Sequence, residues 1–251
     1  MQKLTAIIPT GNEIHNIEAV IASVNFADEI LVVDSFSTDG TFEKAKELAT
    51  NVIRREYQYS ASQKNWAIPQ AKYEWVLLVD ADERVTPELE QEIIEIFSEP
   101  ENDIVAYWIG RNNHFMGERV KFSGWRNDKV IRLFKRDLCK YEDKQVHAEI
   151  IANGKVSSLK NKLNHNTYTT FDAYVEKMNR YASWQAYDYD KKTGKLSPYH
   201  FVIKPFWGFF KHYIAQSGFR DGVVGFTIGY LQAYVVFMRY VKLWLLRRNR
   251  K

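Results

Sequence analysis

Two carboxylates separated by one residue stand where an apolar run ends: Asp80 directly follows Val76–Val79, and Asp82 comes after Ala81. Like charges this close oppose each other's ionisation, so the pair requires a positive partner. Mg²⁺ and Mn²⁺ prefer oxygen ligands, and Mg²⁺ usually takes one or two protein carboxylates together with substrate phosphates. The spacing therefore predicts a divalent-metal site. The alternative is a solvated turn, and Glu83 is expected at the start of the next helix, where negative charge is favourable.

Further polar residues follow other predicted strands. Asp34 ends an apolar run, and its carboxylate could accept hydrogen bonds from a ribose or a base edge. The alternative is a turn that binds nothing, with Thr38 or Asp39 as the cap of the next helix. Gln63 and Lys64 offer an amide and an ammonium at a helix start, which suits a phosphate. The alternative for this pair is a solvated helical face.

Strands and helices alternate at short spacing up to residue 97. The predicted strands are Leu4–Ile8, Glu29–Val33, Asn51–Ile53 and Trp75–Val79. Such alternation predicts an α/β fold with a Rossmann-like, mostly parallel sheet flanked by helices on both faces. In open sheets of this kind ligands bind beyond the carboxyl ends of the strands. The polar residues that follow these strands should therefore meet at one edge.

The pattern changes after residue 103. Strands are predicted at Ile104–Ile109, Val130–Phe134 and Val146–Ile151, so this segment is β-rich. A helix with Asp172 as its cap is predicted over Phe171–Lys191. An aromatic tract and two long apolar helical stretches complete the chain.

Composition narrows the class of protein. Of the 251 residues 45% are hydrophobic, which supports a folded core, and the net charge of +4 is too small to indicate a nucleic-acid partner. The single cysteine, Cys139, excludes an internal disulfide and fits a reducing compartment. No signal-peptide pattern is seen at the N-terminus. The uncharged run Val223–Met238 is shorter than the ~20 apolar residues of a spanning helix, so a span is not favoured.

The clusters after the strands resemble, in order and spacing, the motifs of family-two glycosyltransferases, which are inverting enzymes with the GT-A fold. The matching motifs are Ile8–Glu13, Val33–Ser35, Ser37–Thr41, Gln63-Lys64 and Leu78–Glu83. Later segments resemble a narrower group that includes the bacterial lipopolysaccharide-core β-glucosyltransferases. Those segments are Gly124–Asp128, Ile131–Phe134, Val146-His147 and Gly218–Gly222. The resemblance covers nearly the whole chain.

The resemblance implies a role for each matching position. The residues that would hold the nucleotide are Pro9, Glu13 and Asp34, with Gln63 and Lys64 near it. Asp80 would lie near the ribose and the metal, and Asp82 would bind the metal and the diphosphate. The implied cofactor is Mg²⁺ or Mn²⁺, and the donor substrate is predicted to be a UDP-sugar.

Two positions depart from the family's pattern. Gly11 stands where the family usually has Tyr or Phe before Asn-Glu, and Ala148 separates His147 from Glu149, where the subgroup often has Val-His-Glu. His147 could contact the acceptor or a phosphate, and His165 could supply a metal ligand. The alternative for both is a buried histidine hydrogen-bonded to the backbone.

The implied mechanism is a single in-line displacement at the anomeric carbon, in which one carboxylate removes the acceptor proton. Asp128, in the loop before Val130–Phe134, is the first candidate for this base. Glu149 is the second, followed by Glu142 and Asp143.

The chain is expected to divide into residues 1–110, a nucleotide-sugar-binding half, residues 111–195, the acceptor-side half of the same catalytic domain, and residues 196–251, a helical extension. Aromatic residues with Lys204 and Lys211 make the extension suited to a water–lipid interface. A helical core that covers the sheet is the alternative.

These inferences predict a cytoplasmic hexosyltransferase, with peripheral contact at the inner face of the membrane. Its acceptor would be a lipopolysaccharide, a lipid-linked glycan or another cell-envelope glycan. The rival hypothesis is a non-catalytic, membrane-associated protein that binds nucleotide sugars.

Overall fold

The structure, a computed structural model, describes residues 2–99, 103–144, 148–167 and 170–250. In chain order its strands and helices are β1 Leu4–Thr10, α1 Ile14–Ala22, β2 Glu29–Asp34, α2 Thr41–Leu48, β3 Asn51–Arg54, α3 Ser60–Ala67, β4 Trp75–Leu78, β5 Glu83–Arg84, α4 Pro87–Ser98, β6 Ile104–Phe115, β7 Glu118–Arg119, β8 Lys129–Lys135, β9 Cys139–Tyr141, β10 Ile150–Ala152, β11 Lys155–Asn166, α5 Phe171–Asp190, α6 Pro198–Phe201, α7 Ile203–Phe210 and α8 Gly222–Arg248. A π-helical turn, Lys211–Ala215, continues α7.

The chain forms two compact units, each built from two segments. Unit 1 comprises Met1–Asn112 and Lys129–His165, and unit 2 comprises Asn113–Asp128 and Asn166–Lys251. The expected boundary after residue 110 lies within β6. This strand has residues in both units, since the first segment of unit 1 ends at Asn112.

Within the described ranges, nine strands form a mixed sheet in the order β3-β2-β1-β4-β8-β6-β11-β5, with β7 paired to β6. Strands β3, β2, β1 and β4 run parallel, whereas β8 is antiparallel to both β4 and β6. The predicted α/β fold with a Rossmann-like sheet is confirmed, and its parallel part is the part that alternates with helices in sequence.

Side chains of alternate strand residues enter two hydrophobic cores, one on each face of the unit 1 sheet. Ile8 and Val32 pack with residues of α1 and α4, including Ile17 and Ile93. Ile7 and its neighbours on the opposite face pack with residues of α3. Because helices cover both faces of the sheet, the side chains on both faces of these strands are apolar. The strands therefore appear in the sequence as continuous apolar runs.

The register of the parallel strands aligns their carboxyl ends. Thr10 pairs with Asp34, and Ile7 pairs with Leu78, so the loops after β1, β2 and β4 begin at the same edge of the sheet. The residues that follow these strands therefore form the floor of one site.

Unit 2 is built on α5 and α8, whose buried residues include Tyr174, Met178 and Ile228. The predicted cap of α5 was wrong: the hydroxyl of Thr170 accepts from the N–H of Ala173, and Asp172 lies in the first turn. By length and composition, the helical segment Gly218–Arg248 of the described chain could cross a membrane, with 28% of its most apolar window buried.

Candidate active site

The loop after β1 is locked to the loop after β2. The N–H of Asn12 donates to Ser37, and the N–H of Glu13 donates to Thr41, each at 2.8 Å. A Cβ on Gly11 would lie 3.2 Å from the Cβ of Ser35, so the family's Tyr or Phe would crowd this approach. The departure at Gly11 therefore goes with close packing of the two loops.

Glu13 lies at this edge with Pro9, and its carboxylate accepts from the amide of Asn16 at 2.8 Å. Burial, with the nearby negative charges of Asp82 and Asp39, outweighs that hydrogen bond and raises the pKa of Glu13. Carboxylates from three loops, those after β1, β2 and β4, therefore share this edge of the sheet.

The carboxylate of Asp34 is fully buried at the end of β2. It accepts from the N–H of Ser37 at 3.1 Å and lies 3.4 Å from Nε of Arg54, whose guanidinium is 3.3 Å from the ring centre of Phe42. Asp34 thus orders the loop that follows it. A hydrogen bond to a nucleotide stays a prediction.

Gln63 and Lys64 are both buried, so the alternative of a solvated helical face was wrong. The amide nitrogen of Gln63 donates to the hydroxyl of Ser35 at 3.0 Å. In the described part of the chain, its carbonyl oxygen and the hydroxyl of Thr10 are buried without a hydrogen-bond partner. Such orphaned polar atoms cost about 1–3 kcal/mol each unless a ligand or water satisfies them.

Asp80 finds its positive partners within the protein. One oxygen lies 2.7 Å from Nζ of Lys64, and the other accepts from the guanidinium of Arg132. Burial alone would raise the pKa of this carboxyl, but the two cations outweigh it and hold the pKa well below its usual range. Arg132 is 3% exposed and also donates to the hydroxyl of Tyr141 at 3.1 Å.

Glu83 was expected at the start of a helix, and this prediction was wrong. The residue is fully buried and belongs to β5. It accepts from Arg132 at 2.8 Å and from the N–H of Asp80 at 3.1 Å. The helix begins later, at Pro87, where the hydroxyl of Thr86 accepts from the backbone. Arg132 had no predicted role, although an arginine inside the apolar run of β8 is a signal of a buried ion pair.

Asp82 is one-third exposed, and an oxygen of its carboxylate lies 3.4 Å from Nε2 of His165. The pairing of β11 with β5, with His165 opposite Glu83, brings the imidazole to this loop. In the described ranges no group of three or more His, Cys, Asp and Glu could hold a metal. The pair fits a divalent ion that takes its remaining ligands from diphosphate and water, as Mg²⁺ commonly does.

The first candidate for the base lies in unit 2. Oδ2 of Asp128 accepts from the side-chain amide of Asn113 at 2.8 Å, and its N–H donates to Trp125 in a turn. The second candidate, Glu149, is exposed in unit 1 and pairs with Glu142 through the backbone. His147 lies outside the described residues.

A carboxylate without a predicted role holds the loop ahead of Asp128. Asp221 accepts from the N–H groups of Lys121 and Phe122, at 3.1 and 2.9 Å, and from the hydroxyl of Ser123 at 3.0 Å. It belongs to the segment Gly218–Gly222 whose resemblance was noted above. The contact joins residues about a hundred positions apart, so sequence spacing gave no sign of it.

Comparisons with known proteins identify the family of the chain. The family model described as Glycosyl transferase family 2 matches residues 5–160. An uncharacterized glycosyltransferase of Rickettsia felis is 32% identical, with 97% of this chain and 90% of the relative covered. The lipopolysaccharide core biosynthesis glycosyltransferase LpsC of Rhizobium meliloti is 26% identical, with 96% and 92% covered.

Two solved structures share the fold. The mannosyltransferase PcManGT from Pyrobaculum calidifontis, in complex with GDP-Man and Mn²⁺, has a TM-score of 0.55 at 19% identity, with 97% of this chain and 87% of that chain covered. Glucosyl-3-phosphoglycerate synthase from Mycobacterium tuberculosis, in complex with Mn²⁺, UDP and phosphoglyceric acid, has a TM-score of 0.51 at 15% identity, with 72% and 76% covered.

Proposed function

Because the chain belongs to glycosyltransferase family 2, we propose that it is a metal-dependent, inverting hexosyltransferase that uses a UDP-sugar. The observation that carries the proposal is the carboxylate edge after β4: Asp80 is kept ionised by cations, and Asp82 lies beside His165. The fold is of the GT-A type, in which this edge is the ligand side of the sheet.

Asp82 and His165 would hold Mg²⁺ or Mn²⁺, with Asp80 adjacent. Two solved structures of this fold are complexes with Mn²⁺ and a nucleotide or nucleotide sugar, which supports a divalent ion here. When bound, the ion neutralises the negative charge that grows on the leaving diphosphate. The ammonium of Lys64, already paired with Asp80, adds positive charge next to that position.

The nucleotide would occupy the edge formed by Pro9, Glu13 and Asp34. The unpaired carbonyl of Gln63 and the hydroxyl of Thr10 are an acceptor and a donor there that can meet a base or a ribose. Their orphaned state supports a ligand with polar edges at this position.

Asp128 is the proposed general base. Its carboxylate, oriented by Asn113, takes the proton from the acceptor hydroxyl as that oxygen attacks the anomeric carbon. The bond to the diphosphate breaks on the opposite side, so the configuration inverts. Glu149 is the second candidate.

The acceptor is proposed to be a lipopolysaccharide, a lipid-linked glycan or another cell-envelope glycan. The similarity to LpsC along nearly the whole chain supports a lipopolysaccharide core acceptor. The site of action is the cytoplasm, with peripheral contact at the inner face of the membrane, and no nucleic acid takes part.

A thermal-shift screen of UDP-, GDP- and dTDP-sugars, with and without Mn²⁺, tests the donor and the metal together. We expect a UDP-sugar to raise the Tm most, and only with the ion present. Asp82→Asn should abolish the Mn²⁺-dependent part of the shift and lower turnover. Full activity in that variant would refute the metal assignment. Tight UDP binding without turnover of any donor would favour the non-catalytic alternative.

A further inference from the structure

The helical segment from α6 to the π-helical turn carries an apolar stripe that faces solvent. Its residues recur every three or four positions, which is the period of one helix face. The stripe consists of Tyr199, Val202, Ile203, Phe206, Trp207, Phe210 and Ile214. Phe206 is 66% exposed and Trp207 is 59% exposed. Contiguous apolar patches of this kind on soluble proteins usually mark an interaction site.

The opposite face of the same segment is packed, so the stripe is not the inner side of a displaced helix. A Cβ on Gly208 would lie 3.5 Å from Val236 of α8, and a Cβ on Gly229 would lie 3.3 Å from Tyr213. The rings of Phe209 and Phe226 meet edge to face, with their centroids 5.7 Å apart. The segment is therefore apolar on both sides, with only one side covered by α8.

Helix α8 carries a second exposed stripe. It comprises Val223, Phe226, Tyr230, Tyr234 and Phe237, again at helical spacing. The ring of Phe226 touches Phe209 and Tyr213 of the preceding segment, so the two stripes lie on adjoining helices.

Charge identifies the chemistry of the occupant. Between Pro198 and Lys251 the sequence has one acidic residue, Asp221, and its carboxylate is occupied by three hydrogen bonds within unit 2. The basic residues of the same stretch are Lys204, Lys211, Arg220, Arg239, Lys242, Arg247, Arg248, Arg250 and Lys251. Arg247 and Arg250 are paired with Asp190 of α5, and the segment as a whole keeps a net positive charge. A second copy of this chain would bring the same basic segment against itself, whereas an anionic surface complements it.

We propose that the two stripes lie in the plane of an anionic lipid bilayer, with Phe206 and Trp207 inserted at the level of the headgroups. Aromatic side chains with lysine and arginine suit this boundary, and basic residues near anionic lipid add attraction that salt screens. The proposal deepens the membrane contact proposed above by naming its surface. It does not depend on which donor or metal the enzyme uses.

Vesicle flotation of the full chain tests the proposal, with phosphatidylcholine vesicles that contain or lack phosphatidylglycerol. We expect binding only with phosphatidylglycerol, weakened by added NaCl. The double variant Phe206→Ser/Trp207→Ser should weaken binding about tenfold or more, because two aromatic side chains that would be buried in the lipid are lost. The matched control is Trp184→Ser/Tyr187→Ser, an exposed aromatic pair on α5, which should bind within about twofold of wild type.

Equal binding by the stripe variant and wild type would overturn the proposal, as would absence of wild-type binding to anionic vesicles. A wild-type dimer in light scattering that the stripe variant loses, together with no vesicle binding by wild type, would assign the stripes to contact with a second copy. Quenching of wild-type tryptophan fluorescence by brominated acyl chains, retained in Trp184→Phe, gives a check without a stripe variant. UDP binding, measured separately by calorimetry, reports on the donor proposal alone.

Discussion

Asp80 shows how one residue's environment decides its chemistry. Sequence spacing alone paired it with Asp82, and a metal ion was expected to offset the repulsion between the two carboxylates. The guanidinium of Arg132 and the ammonium of Lys64 already supply the compensating charge. Asp82, which lies beside His165, is therefore the carboxylate proposed to meet the metal and the diphosphate, while Asp80 is held ionised beside it.

The lowered pKa of Asp80 predicts a pH dependence of stability. The unfolded chain protonates this carboxyl near pH 4, whereas the folded protein keeps it ionised to lower pH. The stabilisation is thus present above about pH 4 and is lost as the pH falls towards the folded pKa. Asp80→Asn should be less stable than wild type at pH 7 in urea unfolding, and the two stability curves should converge as the pH is lowered.

Parallel curves for wild type and Asp80→Asn would show that the ion pairs of Asp80 do not contribute in this way. The matched control is Asp188→Asn, an exposed carboxylate on α5. Its urea midpoint should follow that of wild type across the same pH range.

The proposed base gives a second prediction at the level of single residues. Asp128→Asn keeps the shape and the contact with Asn113 but cannot accept the acceptor proton, so kcat should fall about 10²–10⁴-fold. Glu149→Gln should stay within a few-fold of wild type. Steady-state kinetics with the active donor distinguishes the two. A large loss in Glu149→Gln, with Asp128→Asn unchanged, would transfer the role to Glu149.

At the scale of elements, the turn that precedes α8 fixes the loop that leads to Asp128 through hydrogen bonds. Asp221 receives three hydrogen bonds from Lys121, Phe122 and Ser123, and His212 contacts the carbonyl of Ser123 at 3.2 Å. A Cβ on Gly225 would lie 1.9 Å from the carbonyl oxygen of Gly218, so glycine is required for this close approach.

Removal of the Asp221 carboxylate should loosen that loop. We expect Asp221→Ala to lower kcat while UDP binding is retained, because the residues proposed to hold the nucleotide lie in unit 1. Asp221→Asn, which keeps an acceptor oxygen, should recover part of the activity. Hydrogen exchange should be faster at the amides of Lys121 and Phe122 in Asp221→Ala.

Asp188→Ala is the matched control for this substitution, since it removes an exposed carboxylate from the same unit. A positioning role would be refuted if Asp221→Ala exchanged those amides faster but kept wild-type kcat.

Over the whole molecule, charge is segregated along the chain. The carboxylates of the candidate site lie before residue 150, and the stretch from Pro198 onward is basic apart from Asp221. The modest net charge of +4 conceals this division. This division separates the region proposed to hold a metal and a diphosphate from the region proposed to meet anionic lipid.

Local sequence patterns were enough to predict the alternation of strands and helices, the edge at which polar residues gather and the positions of Asp34, Asp80 and Asp82. These features follow from local periodicity and from the rule that loops after parallel strands share an edge. The family of motifs, in their order, was likewise legible from sequence alone.

Which side chains are in contact depends on the three-dimensional fold. The order of strands puts Arg132 of β8 beside Asp80 and buries Glu83, and the pairing of β11 with β5 brings His165 to Asp82. These contacts join residues distant in sequence, and they depend on strand order, which local periodicity does not encode. Burial likewise depends on what covers a residue, and for that reason Glu83 could not be told from a helix-start charge until the fold was known.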